Sequence, residues 1–337
     1  FFMKAVRMIA LTSVLVLAAA CKRHGGYMDD HMAHMSAADM STSMPVQAQD
    51  QGNLNLPPSD THAAARLAAT PRHAEWVTIP WEPGSKDSLM AFIVYPSTSN
   101  AKTPVVVVVH EIFGLSTWVR GVADQVAADG FIAIAPDLES RVRGGPSTTE
   151  LSRDSATKLI RGVNTAERNR GIIAAATYAM SQPSAAPRYA VIGYCWGGQT
   201  VWAHAVNGGT KGYVGGVAFY GAFPYVTGQP AMIDADSMKK INKPVMLLSG
   251  SKDARIGASM PAIDSMTKAF KIDYFGKNYD NATHGFLRQQ DDPHMMRDST
   301  APGGMKPDPA GAASDLAATK DAWPKTLAFL RKHLGAK

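Results

Sequence analysis

Tyr189-Ala190-Val191-Ile192-Gly193-Tyr194-Cys195-Trp196-Gly197-Gly198, running on into Gln199–Val206, is the stretch from which the fold follows. Tyr189–Ile192 reads as a buried strand and Gln199–Val206 as a helix. Between them lies the pattern Gly-x-nucleophile-x-Gly, a sharp strand-to-helix turn that strains the central residue and projects its side chain above the sheet. Glycine is needed at 193 and 197 because a Cβ there would collide with a neighbouring strand or helix. Cys195 is therefore the candidate nucleophile. The N–H of Trp196, at the helix start, is positioned to stabilise an oxyanion. The bland alternative is a structural cysteine at a glycine turn, and the partners found further along the chain argue against it.

Outward from this turn, strands alternate with helices. Trp76–Ile79 and Ala91–Tyr95 form an entry pair of strands. Val105–Val109 is a β-branched run of the kind buried on both faces. Trp118–Ala128 follows as a helix, then strand Phe131–Ala135, then helical stretches over Ser147–Val163 and Thr165–Met180. Beyond the turn come strand Val214–Tyr220, strand Val245–Leu248, helix Ala262–Phe270 and strand Ile272–Phe275. Residues 289–309 read as a long loop, and a closing helix reaches Leu334 with a bend expected at Pro324. Such alternation predicts an α/β domain over residues 71–337, with a mostly parallel sheet and helices on both faces.

In this turn-centred architecture the order along the chain is nucleophile, acid, base. Strand Val245–Leu248 leads into Gly250-Ser251-Lys252-Asp253, and the last strand leads into Asn281-Ala282-Thr283-His284-Gly285-Phe286. Asp253 and His284 occupy the slots for acid and base. Asp264 lies within a helix, Asp280 is too near the histidine to support it from behind, and His294, the runner-up base, lies deep in the 289–309 loop. A thiol of ordinary pKa is mostly protonated at neutral pH, so a base must generate the thiolate. His284, oriented by Asp253, can do this and then protonate the leaving oxygen.

The N-terminal segment differs in character. With initiation at Met3, Lys4 and Arg7 precede the apolar run Met8–Ala20, which is too short for a stable span and reads as an export signal over residues 1–20. Ala18-Ala19-Ala20-Cys21 resembles a lipoprotein processing site, with Leu17 one position early. Simple cleavage to a soluble exported protein and a periplasmic lipoprotein anchored through Cys21 both stand. Residues 21–70 lack sustained periodicity and read as a flexible tether. Its His24, Met28, His31, Met32, His34, Met35, Met40 and Met44 suit copper chemically, but no fixed spacing defines a site. Across the 337 residues the formal charge is +6 and charged residues make up 18%, without a basic stripe, which excludes a nucleic-acid partner. Cys21 and Cys195 are the two cysteines, and they offer no disulfide framework.

His110-Glu111-Ile112-Phe113-Gly114, Pro136-Asp137-Leu138, Gly193-Tyr194-Cys195-Trp196-Gly197-Gly198 and His284-Gly285-Phe286 together resemble the dienelactone hydrolase family over roughly residues 75–335. The resemblance implies an α/β-hydrolase fold, no cofactor or metal, and hydrolysis of enol-lactones or other esters. It further implies that Glu111 pairs with the thiol and takes its proton as substrate arrives, and that the Ile112 N–H is the second oxyanion donor. Two arginines would clamp a substrate carboxylate: Arg288, four residues beyond His284, and Arg153 in the helical segment before the elbow. Planar guanidinium groups suit a carboxylate bidentately, which favours anionic lactones. The chain departs from the family pattern in its export signal, its long 289–309 loop, expected as a lid, and the bulky Trp196, expected to line the acyl pocket. A broad-specificity secreted carboxylesterase is the alternative within enzymes. A non-catalytic metal-binding lipoprotein acting through the Met/His tail is the alternative outside them.

Overall fold

The computed structural model describes residues 50–336 apart from 83, 99–101, 148–150, 227–231, 292–296 and 299–305. Cys21, the Met/His segment and the export signal lie outside the described residues, as does His294. No described helix is long and apolar enough to cross a membrane.

In chain order the elements are α1 (Asp60–Ala69), β1 (Ala74–Pro80), β2 (Ser88–Val94), β3 (Thr103–Val109), α2 (Thr117–Ala128), β4 (Ile132–Asp137), α3 (Ser140–Arg143), α4 (Arg153–Ile160), α5 (Thr165–Met180) and β5 (Ala185–Tyr194). They continue with α6 (Trp196–Val206), β6 (Tyr213–Phe219), α7 (Ala235–Met238), β7 (Val245–Gly250), α8 (Ala254–Ala269), β8 (Tyr274–Tyr279), α9 (Phe286–Gln289), β9 (Arg297–Asp298), β10 (Lys306–Pro307) and α10 (Pro309–Leu334). Eight strands form one sheet in the order β1-β2-β4-β3-β5-β6-β7-β8. β2 pairs antiparallel with both β1 and β4, and every other neighbouring pair is parallel. This is the α/β-hydrolase fold.

β3 shows why a parallel strand reads as an unbroken apolar run. Val106 and Val108 lie on one face in the buried layer that holds Trp118, Val119 and Val122 of α2 and Trp323 and Leu330 of α10. Val105, Val107 and Val109 belong to the buried layer on the other face, with Ile172 and Ala176 of α5 and Val201 and Trp202 of α6. With helices over both faces, neither set of alternate side chains meets water. Fully burying an aliphatic side chain stabilises by about 1.5–3 kcal/mol, so the five valines form much of the drive for central-strand placement.

Two sequence expectations are corrected. The helix expected over Ser147–Val163 shrinks to α4, because Ser147 is already committed elsewhere. Its N–H donates to Asp137 Oδ2 at 2.6 Å and its hydroxyl to Oδ1 at 3.0 Å, pinning it to the end of β4. The tether expected over residues 21–70 is likewise too long, since residues 50–70 belong to the folded body. The buried Arg66 gathers this segment. It donates to the carbonyls of Gln51 at 2.7 Å and Leu56 at 2.8 Å, to that of Asn53, and to Gln125 Oε1 at 2.7 Å. Trp118 Nε1 donates to Pro58 O at 3.0 Å, and Ala63 is fully buried against α2. These are long-range contacts, invisible to local periodicity. Within the 289–309 stretch, β9 and β10 pair as an antiparallel ribbon.

Glu139, just past β4, is fully buried, and neither carboxylate oxygen has a hydrogen-bond partner among the described residues. Burial, reinforced by neighbouring Asp137 and opposed by Arg143, pushes its carboxyl up from 4.5 to about 8. Between those values the folded state holds a proton that the unfolded state has released, so stability falls as pH rises through that window. Glu139→Gln removes the titration. Its unfolding free energy should match wild type near pH 4.5 and exceed it above pH 8, by about 1–3 kcal/mol, the scale for a buried polar group left unsatisfied. Urea denaturation of both proteins across pH measures this; parallel pH profiles would contradict it.

Candidate active site

The sheet delivers the candidate residues to one edge, the carboxyl ends of β3, β5, β7 and β8. Cys195 sits between β5 and α6 with φ 54° and ψ −111°, a conformation that L-residues rarely adopt. Its N–H donates to Phe219 O at 3.1 Å, and its carbonyl accepts from Gln199 N at 3.0 Å, so both sides of the turn are held. The flanking glycines are sterically required. A Cβ on Gly193 would lie 2.3 Å from Gly197 O, one on Gly197 would lie 2.4 Å from Val109 O, and one on Gly198 would lie 2.5 Å from Phe219 O.

Asp253 closes the turn after β7 and caps α8, accepting from Ile256 N at 3.3 Å. The loop bearing His284 lies directly against it: Lys252 N donates to Ala282 O at 2.9 Å, and a Cβ on Gly250 would come within 2.3 Å of that same oxygen. His284 Nδ1 and Asp253 Oδ2 are 2.5 Å apart. Burial opposes charging the imidazole, but hydrogen bonds to Asp253 and Cys195, with the charges of both, outweigh it and raise His284 to about 10. Burial alone would raise Asp253, yet the His284 hydrogen bond and charge, with the Ile256 N–H, draw it below its ordinary value. His284 thus lies between Asp253, to which it is hydrogen-bonded, and Cys195, whose hydrogen bond and charge act on its ring.

Three supports went unrecognised in the sequence. Asp315, on α10, accepts from Thr283 N at 2.7 Å and from Thr283 Oγ1 at 2.6 Å, anchoring the residue before the histidine. The ring of Tyr220, itself at φ 39°, lies 5.0 Å from the His284 ring. His110, fully buried, donates from Nδ1 to Glu111 O at 2.6 Å while its Nε2 accepts from Leu138 N at 3.0 Å, a pairing that requires the neutral ring. Burial keeps it in that neutral form, against the pull of Asp137. His110 therefore fixes the peptide leading to Ile112. It also stacks on Trp196 at 5.4 Å with 13° between planes, tying together the two segments whose N–H groups were assigned to an oxyanion. Trp196, expected to line the acyl pocket, also has the Arg168 guanidinium 4.8 Å from its ring centre. As the first residue of α6, its N–H is one of those a helix leaves without an intrahelical acceptor.

Glu111 is buried, and burial raises its carboxyl, with Arg288 and His284 pulling it down and Asp60 pushing it up. Arg288 Nη1 lies 3.5 Å from Glu111 Oε2. The rest of that guanidinium faces α1: Nε donates to Asp60 Oδ1 and Nη2 to Asp60 Oδ2, both at 3.1 Å. Arg153 opens α4, and its side chain lies outside the described residues. Among the described residues no group of three or more His, Cys, Asp or Glu could hold a metal ion.

The model of the dienelactone hydrolase family matches residues 89–334. A Salmonella typhimurium protein named "Putative carboxymethylenebutenolidase" is 26% identical over 83% of this chain and 96% of its own length. A Synechocystis protein of the same name is 30% identical over 56% of this chain and 77% of its own. Among solved structures, the "Putative Dienelactone Hydrolase" of Klebsiella pneumoniae aligns with a TM-score of 0.57 at 24% identity, covering 76% of this chain and 98% of that one. A dienelactone hydrolase-like promiscuous phosphotriesterase from metagenomic libraries gives a TM-score of 0.55 at 23% identity over 75% of this chain and 98% of its own. With the matched segment running from the second strand through the last helix, the chain belongs to the dienelactone hydrolase family of α/β-hydrolases.

Proposed function

We propose that this hydrolase cleaves lactones or small carboxylic esters through a thioester on Cys195. The observation that carries the reading is the series Cys195–His284–Asp253 beneath a strained elbow, with Asp253 Oδ2 2.5 Å from His284 Nδ1 and favouring the charged ring. An imidazolium beside the sulfur is the partner that a thiolate needs. The sulfur attacks the carbonyl carbon, and the oxygen becomes an oxyanion facing the N–H groups of Ile112 and Trp196. As the tetrahedral species collapses, the bond to the alcohol oxygen breaks and His284 Nε2 supplies its proton. In a lactone the alcohol stays tethered to the acyl group and the ring opens.

Deacylation reverses the roles. Neutral His284 removes a proton from water, the hydroxide displaces sulfur from the thioester, and the acid leaves with Cys195 restored. Asp253 holds the proton-bearing Nδ1 throughout, so Nε2 is the nitrogen that works. Glu111, whose carboxyl burial raises and which faces Arg288, takes in this reading the part of second proton acceptor that the family glutamate plays. The names of the relatives support a lactone among the substrates.

Cys195→Ala should lower kcat/KM for p-nitrophenyl acetate by at least about 10⁴-fold, and Cys195→Ser should stay more than about 100-fold below wild type. Mass spectrometry of quenched reactions should find the acyl group on the peptide carrying Cys195, and an adduct elsewhere would refute the assignment. Asp315→Ala should cost about ten- to hundredfold in kcat with little change in KM, by loosening the His284 loop. Asp315→Asn should recover part of that loss, since its amide oxygen still accepts from Thr283 N. A change confined to KM would mean that Asp315 does not position the base.

A further inference from the structure

Arg288 reaches the site through Glu111. An arginine there would ordinarily mark a site for an anionic substrate. In this chain its guanidinium already faces two carboxylates. Asp60 takes Nε and Nη2 in a two-point contact at 3.1 Å each, and Glu111 lies 3.5 Å from Nη1. The guanidinium also sits 5.0 Å from the centre of the Phe113 ring, in the segment next to Ile112. Whether Glu111 is protonated or charged, the cluster has no surplus positive charge to offer an incoming carboxylate.

Asp60 is built in. It is the first residue of α1, where a carboxylate is favoured by the helix dipole. The segment leading to it is held by the Arg66 contacts and by Trp118 on Pro58 O, and Gln290 Nε2, two residues past Arg288, donates to Pro57 O at 2.9 Å. The two partners are thus fastened to each other's flanks. A substrate carboxylate would have to displace a preorganised one and leave Asp60, only 21% exposed, without its cation.

We infer that Asp60 acts as an internal occupant of the Arg288 fork and sets the specificity of the site toward esters and lactones whose acyl portion is uncharged. The inference rests on the ester-hydrolase reading above. It is also a departure from the expectation of anionic lactones drawn from Arg288 alone.

The test compares p-nitrophenyl butyrate with mono-p-nitrophenyl succinate, which share a leaving group and acyl length and differ by one carboxylate. Wild type should favour the neutral ester by about tenfold or more in kcat/KM, and Asp60→Asn should narrow or invert that ratio, chiefly through KM for the anionic ester. Asp60→Ser, which keeps a residue suited to a helix start, should act likewise, and thermal unfolding confirms that both variants fold. A wild-type preference for the anionic ester, or a ratio unmoved in both folded variants, overturns the inference. Calorimetric titration with glutarate gives a readout that needs no turnover: the dianion should bind Asp60→Asn and not wild type. If neither ester is hydrolysed but glutarate shows that pattern, the ester-hydrolase reading fails and the role of Asp60 survives. Equal glutarate binding to both proteins counts against Asp60.

Discussion

The backbone of Cys195 is the constraint on which the site depends. A φ of 54° turns β5 into α6 within one residue and leaves the sulfur standing above the sheet edge. That conformation persists only because the surroundings over-determine it. Gly193 and Gly197 approach each other too closely for a Cβ, Gly197 lies against the carbonyls of Val109 and His110, and Gly198 packs on Phe219 and Gly221. The same close approach that strains Cys195 draws α6 onto β3 and β6. The segments carrying Trp196, on α6, and Ile112, just beyond β3, are therefore brought together by the packing that creates the turn.

Around this point the electrostatics fall into two linked clusters. In one, Asp253 and His284 share a short hydrogen bond, and the carboxylate favours the charged form of the ring beside Cys195. In the other, Asp60, Arg288 and Glu111 balance one another beside the oxyanion segment. Glu111 feels both, since His284 and Arg288 each favour its charged form while burial and Asp60 oppose it. Neither cluster stands alone. Asp315 on α10 anchors the loop of the first, and the residue 50–69 segment supplies the acid of the second.

How much of this was legible in the sequence depended on range. The elbow, the strand after which Asp253 falls and the loop carrying His284 are marked by local signals: glycine spacing, β-branched runs and turn residues within a few positions. α5 spans the Thr165–Met180 expected from the sequence, and Asn164 and Glu167 form a capping box at its start. By contrast, Ser147 has the composition of a helix start yet serves Asp137, ten residues away and across a turn. Asp60 contacts Arg288 from 228 positions away, and Asp315 contacts Thr283 from another element. No period or motif in a single chain announces such pairs.

What the sequence by itself determined was the class of fold and the family, because glycine spacing and the alternation of strands with helices follow from short-range sterics repeated along the polypeptide. The tertiary structure alone decided where the folded body begins, which residues hold the His284 loop and the segment leading to Ile112, and that Arg288 already has a carboxylate partner. Burial and charge pairing depend on what surrounds a group in space, and a residue such as Arg66 or Arg288 acquires those surroundings only when distant segments pack.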